Sequence, residues 1–340
     1  MFSGVIKMSF EIGMNIHRPG GVFEAYPFED ISKNLDACKD MGMDVVRYNE
    51  YCAGESDTAR ANYVADLCHA RGMKFMMCAD TRFFIDMESL EEIEEKAADL
   101  YRNMSSKLGT KVDYYQVYNE IDITCMGGSI ANIFLTPKDG KEKGEYDCVR
   151  WERSVAAFKG ALRGMKEGCP EAKTCINFAW WHTALIYELY ELGLRWDITG
   201  IDWYSDCEEV SSIEALMNDV LAHIPDTDIM ICETNFWMNL HNRYPEERKE
   251  ALKKAENRYK WQAEWVPEFI DTLLKINNPH LKGVIFYELL DEPIYESSGN
   301  YSGEAHFGFI ECDRQGQNRK PKPAYYALQK KCKELKDKNI

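Results

Sequence analysis

Two glutamates in this sequence each close an apolar, strand-like run. The first run, Val112 to Tyr118, ends in Asn119-Glu120 and then Ile121-Asp122. Far along the chain the pattern recurs: Ile229-Met230-Ile231-Cys232 ends in Glu233, followed by Thr234-Asn235-Phe236-Trp237. Two carboxyl groups brought face to face can divide the work of a hydrolysis, one as general acid and the other as nucleophile or base. That chemistry needs an architecture that carries both strand ends to one place.

The intervening chain supplies one. Strand candidates at Phe10–Ile16, Asp44–Tyr48, Met73–Ala79, Val112–Tyr118, Thr174–Ala179, Ile198–Tyr204, Ile229–Glu233 and Gly283–Glu288 alternate with segments of helical periodicity. Ile31, Leu35 and Cys38 fall on one helix face, as do Ile93, Ala97, Leu100, Tyr101 and Met104 of a helix over Leu90–Leu108. Gly42, Gly72, Gly109 and Gly168-Cys169-Pro170 punctuate the helix ends. Strict alternation predicts a parallel sheet with right-handed crossovers, and eight units predict one closed α/β barrel, a (β/α)8 TIM barrel spanning 1–340. Two long loops interrupt the alternation, at about 122–146 after the fourth strand, where Pro137 lies, and about 289–322 after the eighth. No G-x-G-x-x-G follows the first strand and no phosphate-loop sequence occurs, which argues against a nucleotide-binding sheet.

Composition narrows the partners. Of 340 residues 45% are hydrophobic and 29% charged, as expected of an ordinary globular chain. A formal net charge of −16 disfavours nucleic acid and anionic membranes and suits neutral ligands. The twelve cysteines have neither C-x-x-C pairing nor metal-finger spacing, and Cys78, Cys175 and Cys232 sit inside apolar runs, so reduced core thiols are expected. Met1–Met8 lacks a sustained apolar stretch, and no run approaches the length of a membrane span. These features predict a cytoplasmic protein without a membrane or nucleic-acid partner; the oligomeric state is not encoded in any pattern found.

In such a barrel the site lies at the C-terminal ends of the strands. The residues there are Arg47, Asp80, Asn119, Glu120, His182, Asp202, Tyr204, Glu233 and Glu288, with Trp180, Trp181, Trp203, Phe236, Trp237 and Tyr287 around them. Aromatic faces stack on sugar rings while polar groups bond the hydroxyls, so the rim suits a carbohydrate. The order of these motifs resembles the clan of (β/α)8 retaining glycoside hydrolases with Asn-Glu on strand four and Glu on strand seven. Asn119-Glu120 in VYNEID and Glu233 in IMICETNFW match that pair, Arg47 in VVRYN matches the strand-two arginine, and Tyr204 in GIDWYSD matches the strand-six tyrosine. The closing segment, Phe307-Gly308-Phe309 through Lys320 to Leu328, is also similar to that of many members. GIDWYSD to ICETNFW resembles endo-β-1,4-galactanases, whereas YELLDEP is closer to β-xylosidase and cellulase-like members.

The resemblance implies a retaining β-glycosidase acting on neutral oligo- or polysaccharides. Glu120 would be acid/base, Glu233 nucleophile, and Arg47 and Tyr204 the donors that keep Glu233 ionised. Asn119 would bond the sugar 2-hydroxyl, and Trp181, His182, Trp237 and Glu288 would complete the substrate-binding set. Two positions depart from the clan pattern: Asp202 stands where many members have His, and Tyr287 where many have Trp. Glu50, Asp122 and Glu292 are expected to be solvated. Strand alternation is expected to turn Cys232 away from Glu233, which with the lack of G-x-S-x-G speaks against a serine or cysteine nucleophile. No H-E-x-x-H or H-x-H occurs, so no metal and no cofactor is expected. The competing readings are a non-catalytic carbohydrate-binding barrel and a metal-dependent barrel hydrolase. Two glutamates kept at matched strand ends argue against the first, and activity unaffected by EDTA would count against the second.

Overall fold

The computed structural model describes residues 10–17, 28–50, 55–126, 139–205, 210–240, 244–296 and 302–338. The first half runs β1 (Glu11–Ile16), α1 (Phe28–Met41), β2 (Val45–Glu50), α2 (Glu55–Ala70), β3 (Lys74–Ala79), α3 (Leu90–Leu108), β4 (Tyr114–Val117), a short α4 (Ile121–Cys125) and α5 (Cys148–Gly168). The second runs β5 (Thr174–Ala179), α6 (Ala184–Glu191), β6 (Ile198–Asp202), α7 (Ser211–His223), β7 (Asp228–Thr234), α8 (Glu246–Leu252), α9 (Ala255–Ile276), β8 (Leu281–Phe286) and α10 (Pro323–Asp337). The eight strands form a closed parallel barrel in chain order, β8 returning to pair with β1. This is the expected (β/α)8 barrel.

Local chemistry sets the elements that aim β4. Ser89 caps α3 by accepting from the Glu92 amide, and Asp147 caps α5 by accepting from Arg150. Gly160, Gly164 and Gly168 form a stripe on α5 where any Cβ would overlap the α3 backbone, so the two helices pack at close range beneath the β4 end. The strand itself is shorter than the apolar run suggests. Gly109–Lys111 turn as a 3-10 segment, and pairing stops at Val117.

Alternate strand residues point into the barrel. Val45, Met76, Tyr114, Cys175, Ile198, Met230, Cys232 and Ile285 form an apolar interior cluster. Two residues further along their strands Arg47, Gln116 and Asn177 are polar, and Asp202 follows four residues after Ile198; all are buried. The described cysteines are free, and Cys175 and Cys232 face each other with their sulfurs 3.8 Å apart.

The long loops carry more structure than expected. The 122–146 stretch begins inside α4 and includes a 3-10 turn at Lys143–Glu145; Pro137 lies outside the described residues, as does Met1–Met8. The 289–322 stretch contains a two-stranded antiparallel ribbon, Ile310–Glu311 with Lys320–Pro321. No described helix is long and apolar enough to cross a membrane.

Candidate active site

Glu233 reaches the barrel mouth through a break in alternation. Ile201 pairs with Ile231, but Asp202 pairs with Glu233, so β7 carries one extra residue at Cys232. A second shift lies between Ile231 and Thr234 in the pairing with β8. A bulge of this kind re-aims the side chains around it. Cys232 therefore stays on the inward side beside Cys175 while Glu233, the next residue, also turns inward to Arg47. The expectation that Cys232 points away from the site is corrected by this bulge. The Cys175 contact and burial push its thiol well above the ordinary cysteine range, so it is no thiolate nucleophile.

Arg47 organises the mouth. It is fully buried, and its guanidinium donates to Gln116 Oε1 at 2.7 Å, Asn15 Oδ1 at 2.8 Å and Asn119 Oδ1 at 2.7 Å. It also lies 2.8 Å from Glu233 Oε1. Burial works against its charge, but Glu233 and the other acidic groups nearby outweigh burial, and its pKa is raised. The other oxygen, Glu233 Oε2, accepts from the Tyr204 hydroxyl at 3.1 Å. Burial and then Glu233 raise the tyrosine far above its usual range, so it remains a donor. Asn119 Oδ1 accepts from Gln116 Nε2 at 2.9 Å and Asn177 Nδ2 at 2.8 Å as well as from Arg47. Its amide oxygen is thus turned inward and its NH2 is the group turned away from those donors.

Glu120 is presented by a strained turn. Tyr118 and Glu120 have positive φ of 61° and 44°, a conformation that costs about 1–3 kcal/mol per non-glycine residue. Edge contacts clamp the Tyr118 ring at 5.2 Å from Phe84, 5.5 Å from Tyr101 and 5.1 Å from Phe158, and the Glu120 amide donates to Asn177 Oδ1 at 3.2 Å. Packing therefore holds what the backbone would not adopt unaided. The half-buried Glu120 carboxyl is pushed well above the usual carboxylate range, first by loss of water and then by Glu233 and Asp122, with Arg82 and Arg47 opposing. Carboxylate oxygens of Glu120, Asp202 and Glu233 all lie within 4.8 Å of one another.

The remaining predicted contacts divide. Trp237 packs edge-on to Tyr204 at 5.2 Å and against Phe307 at 5.6 Å, forming a wall beside the nucleophile position. Trp181 lies half-buried under the Lys141 ammonium, 4.2 Å from its ring centre. His182 is buried and turned to Asp122, with Nδ1 at 2.8 Å from Oδ2, and Gly140 packs on its ring. Glu288 pairs with His17, which also reaches Glu292 and lies 3.1 Å from the Tyr287 hydroxyl. Asp122 and Glu292 are buried, at 2% and 1% exposure, contrary to the expectation of solvated acids, because each has a histidine to pair with. The Glu50 side chain lies outside the described residues.

Sequence reading passed over Asn15, Gln116, Asn177 and His17. Each is a polar residue at an inward position of an otherwise apolar strand or at its end, and that pattern was the signal that marked them. Among the described residues, Glu120–Asp202–Glu233 and His17–Glu288–Glu292 have donor spacing that a cation could use.

Similarity to known proteins agrees with the fold. No curated protein matches the chain. Solved structures similar to it include beta-glycosidase BGL167, with 14% identity, TM-score 0.69 and coverage of 96% of this chain and 97% of that one. A GH5 protein from Streptomyces cattleya in complex with Manb1-4GlcNAc has 14% identity, TM-score 0.68 and coverage of 96% and 81%. A family 1 beta-glucosidase from Thermotoga maritima in complex with isofagomine lactam has 12% identity, TM-score 0.65 and coverage of 96% and 98%. At such identities these likenesses speak for the fold. The family model of Glycosyl hydrolase family 53 matches residues 86–310, a stretch that includes both β4 with Glu120 and β7 with Glu233. The chain belongs to glycosyl hydrolase family 53, and it is a glycoside hydrolase.

Proposed function

We propose that the enzyme cleaves β-glycosidic bonds of neutral saccharides with retention of configuration. Glu233 acts as nucleophile and Glu120 as acid/base. The observation that carries this reading is the approach of the two carboxylates to within 4.8 Å. That is the nearest approach of single oxygens, and it sets the carboxyl groups close enough for a retaining pair, which needs about 5–5.5 Å.

In the first step Glu233 forms a bond from a carboxylate oxygen to the anomeric carbon. The bond to the leaving oxygen breaks, and the Glu120 proton passes to that oxygen. Water then attacks the glycosyl-enzyme, giving its proton to Glu120 and releasing Glu233. Arg47 and Tyr204 hold one Glu233 oxygen each, which favours the ionised nucleophile. The raised pKa of Glu120 keeps its proton on hand near neutrality. The Asn119 amide, its oxygen fully used, is oriented to donate to the sugar 2-hydroxyl, a bond that strengthens in an oxocarbenium-like transition state. Trp237 and Trp181 offer ring faces, and His182 and Glu288 act as supports of the mouth through Asp122 and His17.

A 2-deoxy-2-fluoro β-glycoside with an activated leaving group tests the assignment. The glycosyl-enzyme should accumulate, and the peptide bearing Glu233 should gain the mass of the sugar. A label on any other residue, or normal turnover by Glu233→Gln, would end the nucleophile assignment. Aryl β-glycosides together with β-1,4-linked galactan, xylan and cellulose oligosaccharides identify the sugar and linkage.

A further inference from the structure

Asp202 closes β6 beside the reacting pair. It is buried, and one oxygen, Oδ2, accepts from Asn177 Nδ2 at 2.5 Å. Asn177 in turn donates to Asn119 Oδ1 and accepts from the Glu120 amide, so the Asp202–Asn177 pair braces both members of the Asn-Glu motif. The second oxygen, Oδ1, is buried without a hydrogen-bond partner. The Asp202 carboxyl nevertheless lies within 4.8 Å of oxygens of both Glu120 and Glu233. A carboxylate with a bare buried oxygen, set beside two other carboxyl groups, is costly in a water-poor site, and a proton on it removes the repulsion.

The charged and titratable groups around Asp202 are Glu233, Glu120, the Cys232 and Cys78 thiols, Arg47 and the Tyr204 phenol. Arg47 is the cation of this set, and it is committed to Glu233. Burial first, then Glu233 and Glu120, push the Asp202 carboxyl well above the usual range.

We infer that Asp202 is a positioning residue that remains a neutral carboxylic acid throughout turnover, with its proton on the unpartnered Oδ1 and Oδ2 bracing Asn177. The inference rests on the assignment of Glu120 and Glu233 above. Its consequence is charge constancy. Before the first step Glu233 is the single anion of the three carboxyls. After it, Glu233 is an ester and Glu120, having given its proton to the leaving group, is the single anion. One guanidinium faces one negative charge at both stages, and Asp202 neither gains nor loses a proton. An ionised Asp202 would leave two anions against one cation at both stages.

Asp202→Asn and Asp202→Ala separate this from a purely structural role or a required charge. Asn is neutral, similar in shape, and can accept from Asn177 while donating from its amide. It should keep kcat/KM within about tenfold and leave both limbs of the pH profile within about half a unit of wild type. Ala leaves Asn177 without its acceptor and should lower kcat by about tenfold to a hundredfold with little change in KM, because the loss is felt at Asn119 and Glu120. If Asp202 were ionised, removing its negative charge would lower the pKa of Glu120. The alkaline limb of Asp202→Asn would then fall by about one unit or more, which overturns the inference. Loss of more than about a hundredfold activity in a folded Asp202→Asn, or wild-type kinetics in Asp202→Ala, overturns it as well. Covalent labelling of Glu233 in the Asp202→Asn protein is the control. Failure to label in both this variant and wild type indicts the nucleophile assignment, whereas labelling with a displaced alkaline limb indicts the neutral Asp202.

Discussion

Replacing Arg47 with Met removes the charge while keeping a similar length of side chain. Four acceptors each lose one donor together: Glu233 Oε1, Asn119 Oδ1, Asn15 Oδ1 and Gln116 Oε1. Breaking a fully buried pair by deleting one partner costs about 3–5 kcal/mol, mostly the penalty on the abandoned charge. At about 2 °C per kcal/mol for a chain of this size, the melting temperature should fall by about 6–10 °C. The kinetic consequence follows from the same geometry. The guanidinium holds Glu233 Oε1 and Asn119 Oδ1 at the mouth, so its loss should misplace both. Misplacement of reacting groups by about 1 Å is enough to lower kcat/KM by about 10²-fold. Arg47→Lys should be intermediate, since an ammonium on a flexible stem cannot meet acceptors in four directions. The assays are scanning fluorimetry and kcat/KM on an activated aryl glycoside. A folded Arg47→Met with an unchanged kcat/KM and an unchanged melting temperature would refute the reasoning.

Glu120→Ala should lose about 10²–10⁴-fold on substrates with poor leaving groups but far less on dinitrophenyl glycosides, which need no protonation; equal losses on both point to a different acid. Glu120→Gln should be more stable than wild type, and increasingly so as pH rises. The Glu120 pKa is raised in the folded state, so its contribution to stability is greatest below its unfolded value of about 4.3 and is lost as pH climbs through the folded value. Gln removes that penalty, and thermal scans from about pH 4 to about pH 9 should show the two proteins diverging towards the alkaline end. Gly140→Ala should cost about 1–3 kcal/mol, because Gly140 has φ of +70° and a Cβ there would overlap the His182 ring. A melting temperature equal to wild type would mean that the Gly140–His182 contact is not maintained in solution.

Much of this site is legible in the amino-acid sequence alone. Strand-then-helix alternation is a local property written in periodicity, and each apolar run ends where water begins, so residues at the run ends fall at one mouth once the barrel closes. That is why Arg47, Asn119, Glu120, Tyr204 and Glu233 stand out together. The solvated roles expected of Asp122 and Glu292 fail because burial of an acid depends on a partner distant in the chain, His182 for one and His17 for the other. The polarity of Asn177 inside an apolar strand marks the residue, but its role is hidden for the same reason. Nothing local marks it as the bridge between Asp202 on β6 and the Asn119–Glu120 turn after β4.

Which residues stand at the strand ends follows from the order of amino acids, because periodicity of side-chain polarity is set along the chain. Where those side chains point does not follow from it. Simple alternation would have turned either Cys232 or Glu233 out of the barrel, and a bulge stabilised by the strands on both sides turns both inward. Glu120 likewise depends on a positive-φ turn that the packing of Tyr118 on three distant rings sustains. Both devices are held by contacts between elements remote in sequence, and only closure of the barrel supplies them.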